Sequence, residues 1–293
     1  MAADWSTYWR SADEPLEAMH AHFVRRVYHR HSHETYSFGV TEDGAQSFTC
    51  RGSAHTSAAG MVMAFNPDDP HDGHASDELG FTYRMVHIGP ELVSGVLAGI
   101  TGRPAGLPLF TDPVVSDPVL AGHVRALNRA LLGSAPALHR DELLTATIYA
   151  IAARAAARAG QPAVFARRAG HAARAGYPAP ARNTAPASAG TVAGRAREVI
   201  RGGYLGEITA GDLAAATGRS RFAVLRAFTS VYGISPSDYQ RQLRLRAARR
   251  LIARGRPISE AAARAGFADQ SHLTRWFSRC YGITPGGYQR AAA

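Results

Sequence analysis

The sequence predicts an α+β protein: a small antiparallel β-barrel or sandwich with trailing helices, then an all-α domain of two helix-turn-helix units joined by a long helix. Three observations lead there. Between residues 22 and 90, apolar and polar residues alternate in short runs separated by turn signals, the pattern of half-buried strands. Beyond residue 90 the period lengthens to that of helices. Toward the C-terminus one sequence is written twice. Tyr232-Gly233-Ile234-Ser235-Pro236 returns as Tyr281-Gly282-Ile283-Thr284-Pro285, and Phe228 and Tyr239 return as Phe277 and Tyr288, all shifted by 49 positions. Ala214 and Gly218, four apart, return as Ala262 and Gly266.

At 293 residues, two domains are expected, each large enough for its own core: residues 1–160, then a linker over 161–193, then a helical domain over 194–293. Charge separates these segments. Residues 1–160 hold 12 Arg against 17 Asp and Glu, residues 161–193 hold 4 Arg and no acid, and residues 194–293 hold 17 Arg against 6 acids. Only the last is strongly basic, so only it is expected to seek a polyanion. The chain contains no lysine. No apolar run is long enough to cross a bilayer. The N-terminus, with Asp4, Asp13 and Glu14 around Trp5 and Trp9, lacks the basic-then-apolar order of a secretion signal. A cytoplasmic protein with no membrane partner is expected. Cys50 and Cys280 fall in different predicted domains and read as separate buried thiols, as suits a reducing compartment.

Taken in order, Tyr36–Val40 and Gln46–Cys50 alternate with period two around Glu42-Asp43-Gly44, which predicts a hairpin. Met61–Phe65 is an apolar run closed by Asn66-Pro67-Asp68-Asp69-Pro70, and Phe81–Ile88 alternates again up to Gly89-Pro90. Helices are predicted over 91–101, 117–132 and 139–159. Leu120, Val124, Leu127 and Leu131 recur at helical spacing, as do Leu143, Leu144, Thr147, Ile148 and Ile151. Such stripes suit packing on their own barrel; they also suit a dimer surface, which is the preferred reading. Gly160 through Ala193, rich in Ala, Pro, Gly, Arg and Ser, read as a flexible to semi-rigid tether that lets the domains move.

In the first repeat, Asp212–Thr217 is predicted helical and Gly218 supplies the turn, where positive φ is cheap. Ser220 caps a helix running to about Ser230, with Val224 and Phe228 inward and Phe222, Leu225, Arg226 and Thr229 on other faces. In the second, Ile258–Ala265, the Gly266 turn and a helix from Asp269 to about Cys280 repeat the plan, with Leu273 and Phe277 inward. Helix, glycine turn, helix is the pattern of a DNA-reading unit. Between the copies, Ser235-Pro236-Ser237-Asp238 starts a helix reaching about Arg254. Its roughly 20 residues span about 30 Å, near the roughly 34 Å between successive major grooves on one face of B-DNA. Arg241, Arg244, Arg246, Arg249 and Arg250 on that helix read as a solvated face, Trp276 as packing, and Asp269 as a cap first.

Gly266-Phe267-Ala268-Asp269-Gln270-Ser271-His272-Leu273-Thr274-Arg275-Trp276-Phe277, followed by Tyr281-Gly282-Ile283-Thr284-Pro285, closely resembles the signature of the AraC/XylS family of transcription regulators, and residues 194–293 resemble its DNA-binding domain. The resemblance implies that the first recognition helix uses Ser220, Arg221, Phe222, Leu225 and Arg226, and the second Gln270, Ser271, His272 and Arg275. Arg226 and Arg275 are the expected base readers, since a guanidinium can fork onto guanine. Ser220, Arg221 and Thr274 are expected on phosphates. Phe222 and Leu225 either meet thymine methyls or, for Leu225, merely pack.

Residues 28–40 and 60–73 resemble the cupin-like sensor domain that precedes the DNA-binding domain in many regulators of this family. That implies an effector pocket touched by His31, His33, Tyr36, Phe38 and His71. His31, His33 and His71 also make a partial metal-ligand set. Against it, Ser37 and Phe38 stand where an enzymatic cupin has its glutamate, Asp69 stands where the pattern has glycine, and the spacing to His71 is one residue short. No bound metal and no cofactor are therefore expected. His20, His22, His29, His55, His74 and His87 lack comparable pairing and are assigned to surface or packing positions. No nucleophile elbow, phosphate-binding glycine loop or paired-thiol motif supports an enzyme.

The expectation is a sequence-specific regulator that binds double-stranded promoter DNA as a homodimer and responds to a small-molecule effector held by residues 1–160. Activation through RNA polymerase is implied by the resemblance. Two alternatives stay open: a metal-dependent cupin enzyme fused to a DNA module, and an effector-independent architectural DNA binder.

Overall fold

The computed structural model describes residues 3–158 and 187–291. Its N-terminal domain contains strands β1 (Trp5–Arg10), β2 (Leu16–Phe23), β3 (Val27–His31), β4 (Tyr36–Cys50), β5 (Ser53–Ala58), β6 (Val62–Phe65), β7 (His71–Ala75), β8 (Phe81–Ile88) and β9 (Val114–Val115), with helices α1 (Pro90–Thr101), α2 (Pro118–Leu132) and α3 (Ala137–Arg158). One layer runs β1-β2-β8-β4-β6-β9, all antiparallel, and β3, β5 and β7 complete the other through β4.

β4 is common to both layers. Residues 36–44 pair with β8, and residues 45–50 pair with β5. The hairpin expected at Glu42-Asp43-Gly44 is therefore absent, and the two runs are one bent strand. The register against β8 slips between Thr41 and Asp43, as at a bulge. Gly44 bends the chain there with φ of 69°. Its backbone passes so close to Gly80 that a Cβ would lie 2.1 Å from the Gly80 carbonyl oxygen. Each half of the strand finds other partners, so neither needs the other. β1 and most of β2 lie ahead of the region read as strands; β2 is buried almost throughout and so shows no clean alternation.

Period two sorts the strand residues onto two cores. Tyr36, Phe38 and Val40 of β4 and Val86 and Ile88 of β8 face the helices, where they meet Leu120, Val124, Leu127, Leu131, Leu144, Ile148 and Ile151. The helical stripes thus pack on their own domain rather than forming a dimer surface. Burial of each such side chain contributes about 1.5–3 kcal/mol, and none is left over for a partner. Met19, Phe23, Phe48, Met63, Phe65, Phe81, Tyr83 and Met85 fill the space between the strand layers.

The helical domain comprises α4 (Ala187–Gly203), α5 (Ala210–Thr217), α6 (Arg221–Tyr232), α7 (Pro236–Ala253), α8 (Ile258–Arg264), α9 (Gln270–Tyr281) and α10 (Pro285–Arg290). Residues 187–193, assigned to the tether from sequence, are the first two turns of α4. Alanine favours helix, and Val192, Ala193, Ala196 and Ile200 supply one apolar face, with Val192, Ala196 and Ile200 in the core around Val224 and Phe228. Residues 161–186 of the expected tether lie outside the described residues. α10 was not anticipated, yet it repeats the start of α7. Thr284 Oγ1 accepts from Gly287 N as Ser235 Oγ accepts from Asp238 N, each followed by a first-turn proline.

The two domains are docked through α7. Of its arginines, read from sequence as solvated, Arg250 is exposed, while Arg241, Arg244, Arg246 and Arg249 are partly buried. Arg249 pairs with Glu17 on β2, and Glu17 also accepts from the hydroxyls of Tyr8 and, at 3.0 Å, Tyr288. Arg246 pairs with Asp68 at 2.6 Å, and Arg250 with Glu34 at 3.6 Å. Arg244 donates to the carbonyls of Tyr204, Gly206 and Gly266, and Arg241 lies 3.7 Å over the Trp276 ring. From β1, Arg10 donates to the carbonyls of Ala253 and Tyr288. The carboxylates that claim Arg246, Arg249 and Arg250 lie far upstream, where a local charge pattern cannot show them.

Burial alone would raise the Glu17 pKa, but the charge of Arg249 and the hydroxyls of Tyr8 and Tyr288 together hold it below its ordinary 4.5. A carboxylate so depressed contributes stability above its unfolded pKa and loses it as pH falls through the folded value. Glu17→Gln leaves Arg249 buried without its counter-charge and should lower the unfolding free energy by about 3–5 kcal/mol near neutral pH. Denaturant unfolding at descending pH should show the gap between wild type and variant narrowing below about 4.5. A gap independent of pH would mean that the Glu17 charge does not hold the domains.

Candidate functional site

Two surfaces carry chemistry: the recognition helices and a cavity behind them. In the first unit, Thr209 and Asp212 form a reciprocal capping box at the start of α5, and Gly218 ends it in the left-handed region with φ of 64°. Ser220 Oγ then accepts from Ala223 N, which starts α6. In the second unit Gly266, with φ of 80°, makes the turn, and Asp269 accepts from His272 N at 2.6 Å. Val224 and Phe228, like Leu273 and Phe277, anchor these helices inward.

That anchoring turns the other faces outward. Ser220, Arg221, Phe222, Leu225 and Arg226 are exposed on the first unit, and Gln270, Ser271 and Arg275 on the second. Phe222 is 68% exposed and Leu225 47%, too open for core residues, and Arg226 lies over the Phe222 ring. His272 and Thr274 are half-buried, His272 against the edge of Phe267. Ser220 is engaged as a cap. Trp276 packs between His29 and Arg241.

The cavity lies inside the strand layers, where they meet the end of α9. Its wall includes Met19, Phe48, Met63, Phe65, Tyr83, Met85 and four histidines from the N-terminal domain, with Cys280 and Tyr281 from α9. It is narrow: about 50 Å³ is open to the centres of water-sized groups, against roughly 10–15 Å³ for one water. His31 Nδ1 donates to the His29 carbonyl at 2.8 Å and His71 Nδ1 to the Asp69 carbonyl at 2.9 Å. His31 Nε2 and His33 Nε2 are 3.1 Å apart. His87 stands beside His33, 4.6 Å between ring centroids, with its Nδ1 2.8 Å from Ser37 Oγ. Desolvation in the cavity pushes all four imidazoles below their ordinary 6.5, His71 and His87 to about 4 and His31 and His33 also well down. They are neutral near neutral pH. Burial likewise pushes the thiols of Cys50 and Cys280 up to about 12, and both are free.

Asp69, the residue that departs from the cupin-like pattern, sets the loop ahead of His71. It pairs with Arg51 and accepts from Asn66 N at 2.9 Å. Its neighbour Asp68 reaches outward to Arg246.

Of the residues expected in a pocket, the structure brings His31, His33 and His71 together. Tyr36 and Phe38 are not with them. They lie on the opposite face of β4, buried against the helices, with Tyr36 Oη donating to the Pro108 carbonyl. Strand alternation dictates this: Ser37, between them, is the residue on the cavity side. His87, placed from sequence among surface or packing residues, belongs to the cluster. The signal was its position on β8 in step with Tyr83 and Met85, which face the same space.

β3 connects cavity and recognition helices. His31 ends it; on the same strand Arg30 donates to the Gly233 carbonyl at 2.8 Å, behind α6. Tyr28 packs on Gly282, behind α9, and the adjoining Arg26 donates to the Ser278 carbonyl. Gly233 and Gly282 are the same position in the 49-residue repeat, each the left-handed cap of a recognition helix.

Comparison with known proteins bears on both domains. Residues 15–150 match the family model of the AraC-like ligand binding domain, and residues 213–291 that of a helix-turn-helix domain. An uncharacterized HTH-type transcriptional regulator of Bacillus subtilis (strain 168), YbfI, is 27% identical over 259 residues, which is 88% of this chain and 86% of that protein. The transcriptional activator NphR of Rhodococcus is 36% identical over 88 residues, 30% of this chain and 26% of its own. Among solved structures, apo ToxT from Vibrio cholerae superposes with a TM-score of 0.53 over 99% of this chain and 98% of its own, at 8% identity, a likeness of fold.

At Gly282, φ is 71° and an added Cβ would lie 2.3 Å from Tyr28 Oη. Gly282→Ala should therefore cost more than the roughly 1 kcal/mol of the backbone conformation alone. Hydrogen exchange should speed up in β3 and at the end of α9 together. Exchange confined to α9 would show that β3 does not bear on the cap.

Proposed function

The chain belongs to the AraC family of transcription regulators, a ligand-binding domain ahead of a helix-turn-helix DNA-binding domain, and from that premise we propose how its surfaces are used. α6 and α9 enter successive major grooves of promoter DNA. The observation that carries this reading is that both helices expose the same face of a repeated unit while their far ends are docked. α7, with 18 residues, is about 27 Å long, short of one turn of B-DNA by an amount that a modest bend of the duplex makes up. Arg226 and Arg275 read bases; Arg221 and Thr274 hold phosphates. Phe222 and Leu225 meet thymine methyls, which their exposure supports. Ser220 keeps its capping role.

The small-molecule effector sits in the cavity that both domains wall. A structure of wild-type ToxT, with a TM-score of 0.51 at 9% identity, is bound to an unsaturated fatty acid. The narrow, histidine-lined space here supports a much smaller ligand. Two chains pair around the groove left open between the helices, where Ile100, Leu138 and Tyr149 remain exposed. The protein acts in the cytoplasm as an activator through RNA polymerase, and not as an enzyme.

Binding of the purified protein to fragmented DNA of its own source, at roughly physiological salt, tests the reading. A few sharp sites with half-sites about one helical turn apart support it; diffuse binding supports an architectural role instead. Arg275→Ala should weaken binding to such a site by about 1–3 kcal/mol and relax one base position. Equal losses on specific and random DNA would make Arg275 a phosphate contact.

A further inference from the structure

Away from the DNA-facing helices, the densest chemistry among the described residues is the imidazole cluster. We propose that His31, His33 and His71, with His87 as fourth donor, form a site for one divalent first-row transition-metal ion of the kind imidazole favours, such as zinc, nickel or cobalt. Ion binding by these residues is independent of the DNA reading.

The geometry is close to that of a bound site. The candidate ligand atoms of His31, His33 and His71 all lie within 4.8 Å of one another. Two nitrogens on one tetrahedral ion, each about 2.0–2.1 Å from it, are about 3.3 Å apart. His31 Nε2 and His33 Nε2 stand at 3.1 Å. The His71 ring is 4.5 Å from that of His31, and the His87 ring 4.6 Å from that of His33. Little movement would close those three donors on one centre, and the His87 ring stands beside that of His33.

The outer contacts point the same way. A carbonyl can only accept, so the bonds from His31 to His29 and from His71 to Asp69 place the proton on Nδ1 and leave Nε2 as a bare lone pair. Metal-binding histidines are oriented by such bonds. His33 Nε2, 3.1 Å away, faces the His31 lone pair and in the metal-free protein can donate its proton to it.

The donor set is this chain's own. Ser37 stands where the cupin-like pattern would place a carboxylate, and it holds His87 by Nδ1 at 2.8 Å. On the cavity wall the charge of Asp72 is matched by Arg30, and the charge of Arg249 is matched by Glu17.

The test uses the full chain, stripped with a chelator and titrated with Co²⁺ and Zn²⁺ without DNA. Bound metal is counted after desalting, and the visible bands of cobalt report its coordination. The expected result is one ion per chain with a tetrahedral cobalt spectrum. His33→Ala and His71→Gln should each weaken binding by more than the roughly 10–100-fold that loss of an outer contact costs. His74→Ala, on the exposed side of β7, should change nothing. His33 is only half-buried, so that variant is expected to fold, which circular dichroism checks. No uptake by wild type, or uptake that survives His33→Ala and His71→Gln combined, overturns the site. His87→Ala with unchanged affinity and unchanged spectrum overturns the fourth donor. Because Cys280 and Tyr281 share the cavity, the ion would also bear on the end of α9. That consequence rests on the regulator reading and is measured separately, as DNA affinity with and without Zn²⁺.

Discussion

A carboxylate buried between two domains must find its charge and hydrogen-bond partners there, and Glu17 sets the geometry of this chain by doing so. It accepts from Tyr8 on its own sheet and from Arg249 and Tyr288 of the helical domain. Removing the helical domain would strand Glu17; removing Glu17 would strand Arg249. Each domain therefore completes the other at that point, and α7 is fixed in angle and register against β2. The rest of the boundary follows from α7's position: Arg246 falls opposite Asp68 and Arg250 opposite Glu34. This boundary is held by ions and hydrogen bonds more than by leucine. Gln242 Nε2, Arg246 Nε and Arg26 Nε have no hydrogen-bond partner among the described residues. Groups of that kind regain water when the surfaces part, so the docked state is favoured by less than its count of ion pairs would imply.

The repeat gives this docking a second consequence. A helix that ends in a left-handed glycine presents unpaired carbonyls and bare backbone at its C-terminus. Both recognition helices end that way, and β3 meets both ends, Arg30 at Gly233 and Tyr28 at Gly282. Glycine is what allows the approach at Gly282, since any side chain would strike Tyr28. One strand thus touches equivalent points on two DNA-reading units while carrying His31 at the cavity. A displacement of β3 is felt by both units at once.

The helical domain was legible in the sequence because its information is local. Caps, glycine turns and i, i+4 anchors lie within a few residues of the elements they define, and Ser220, Gly218, Gly266 and Asp269 do what their spacing requires. α10 was legible too, since Thr284-Pro285 repeats Ser235-Pro236, but a six-residue helix is easily passed over. The N-terminal domain was legible in strand positions and not in pairing. A bulge at Asp43 and Gly44 looks the same in sequence as a hairpin, because both need a residue with positive φ; what decides is which strand arrives alongside. The same limit hid the fate of the α7 arginines, whose partners come from β2 and two loops. It also hid His87, whose neighbours His31, His33 and His71 come from other strands and loops. Tyr36 and Phe38 were misplaced for a simpler reason. They share a strand with Ser37, which bonds the cavity residue His87, but alternation puts them on the opposite face.

How a ligand in the cavity could matter to DNA follows from where the wall comes from. A ligand shifts a conformational equilibrium only by the difference between its affinities for the two states. A ligand touching the strand layers alone would bind docked and undocked forms equally and shift nothing. Cys280 and Tyr281 belong to the end of α9, so a ligand that reaches them loses those contacts when the domains part. A tenfold preference for the docked form is worth about 1.4 kcal/mol. Against a boundary of ion pairs with unsatisfied groups among them, a shift of that size changes populations. The energy that positions the two recognition helices and the energy of ligand binding are then drawn from one surface, and β3 is where they meet.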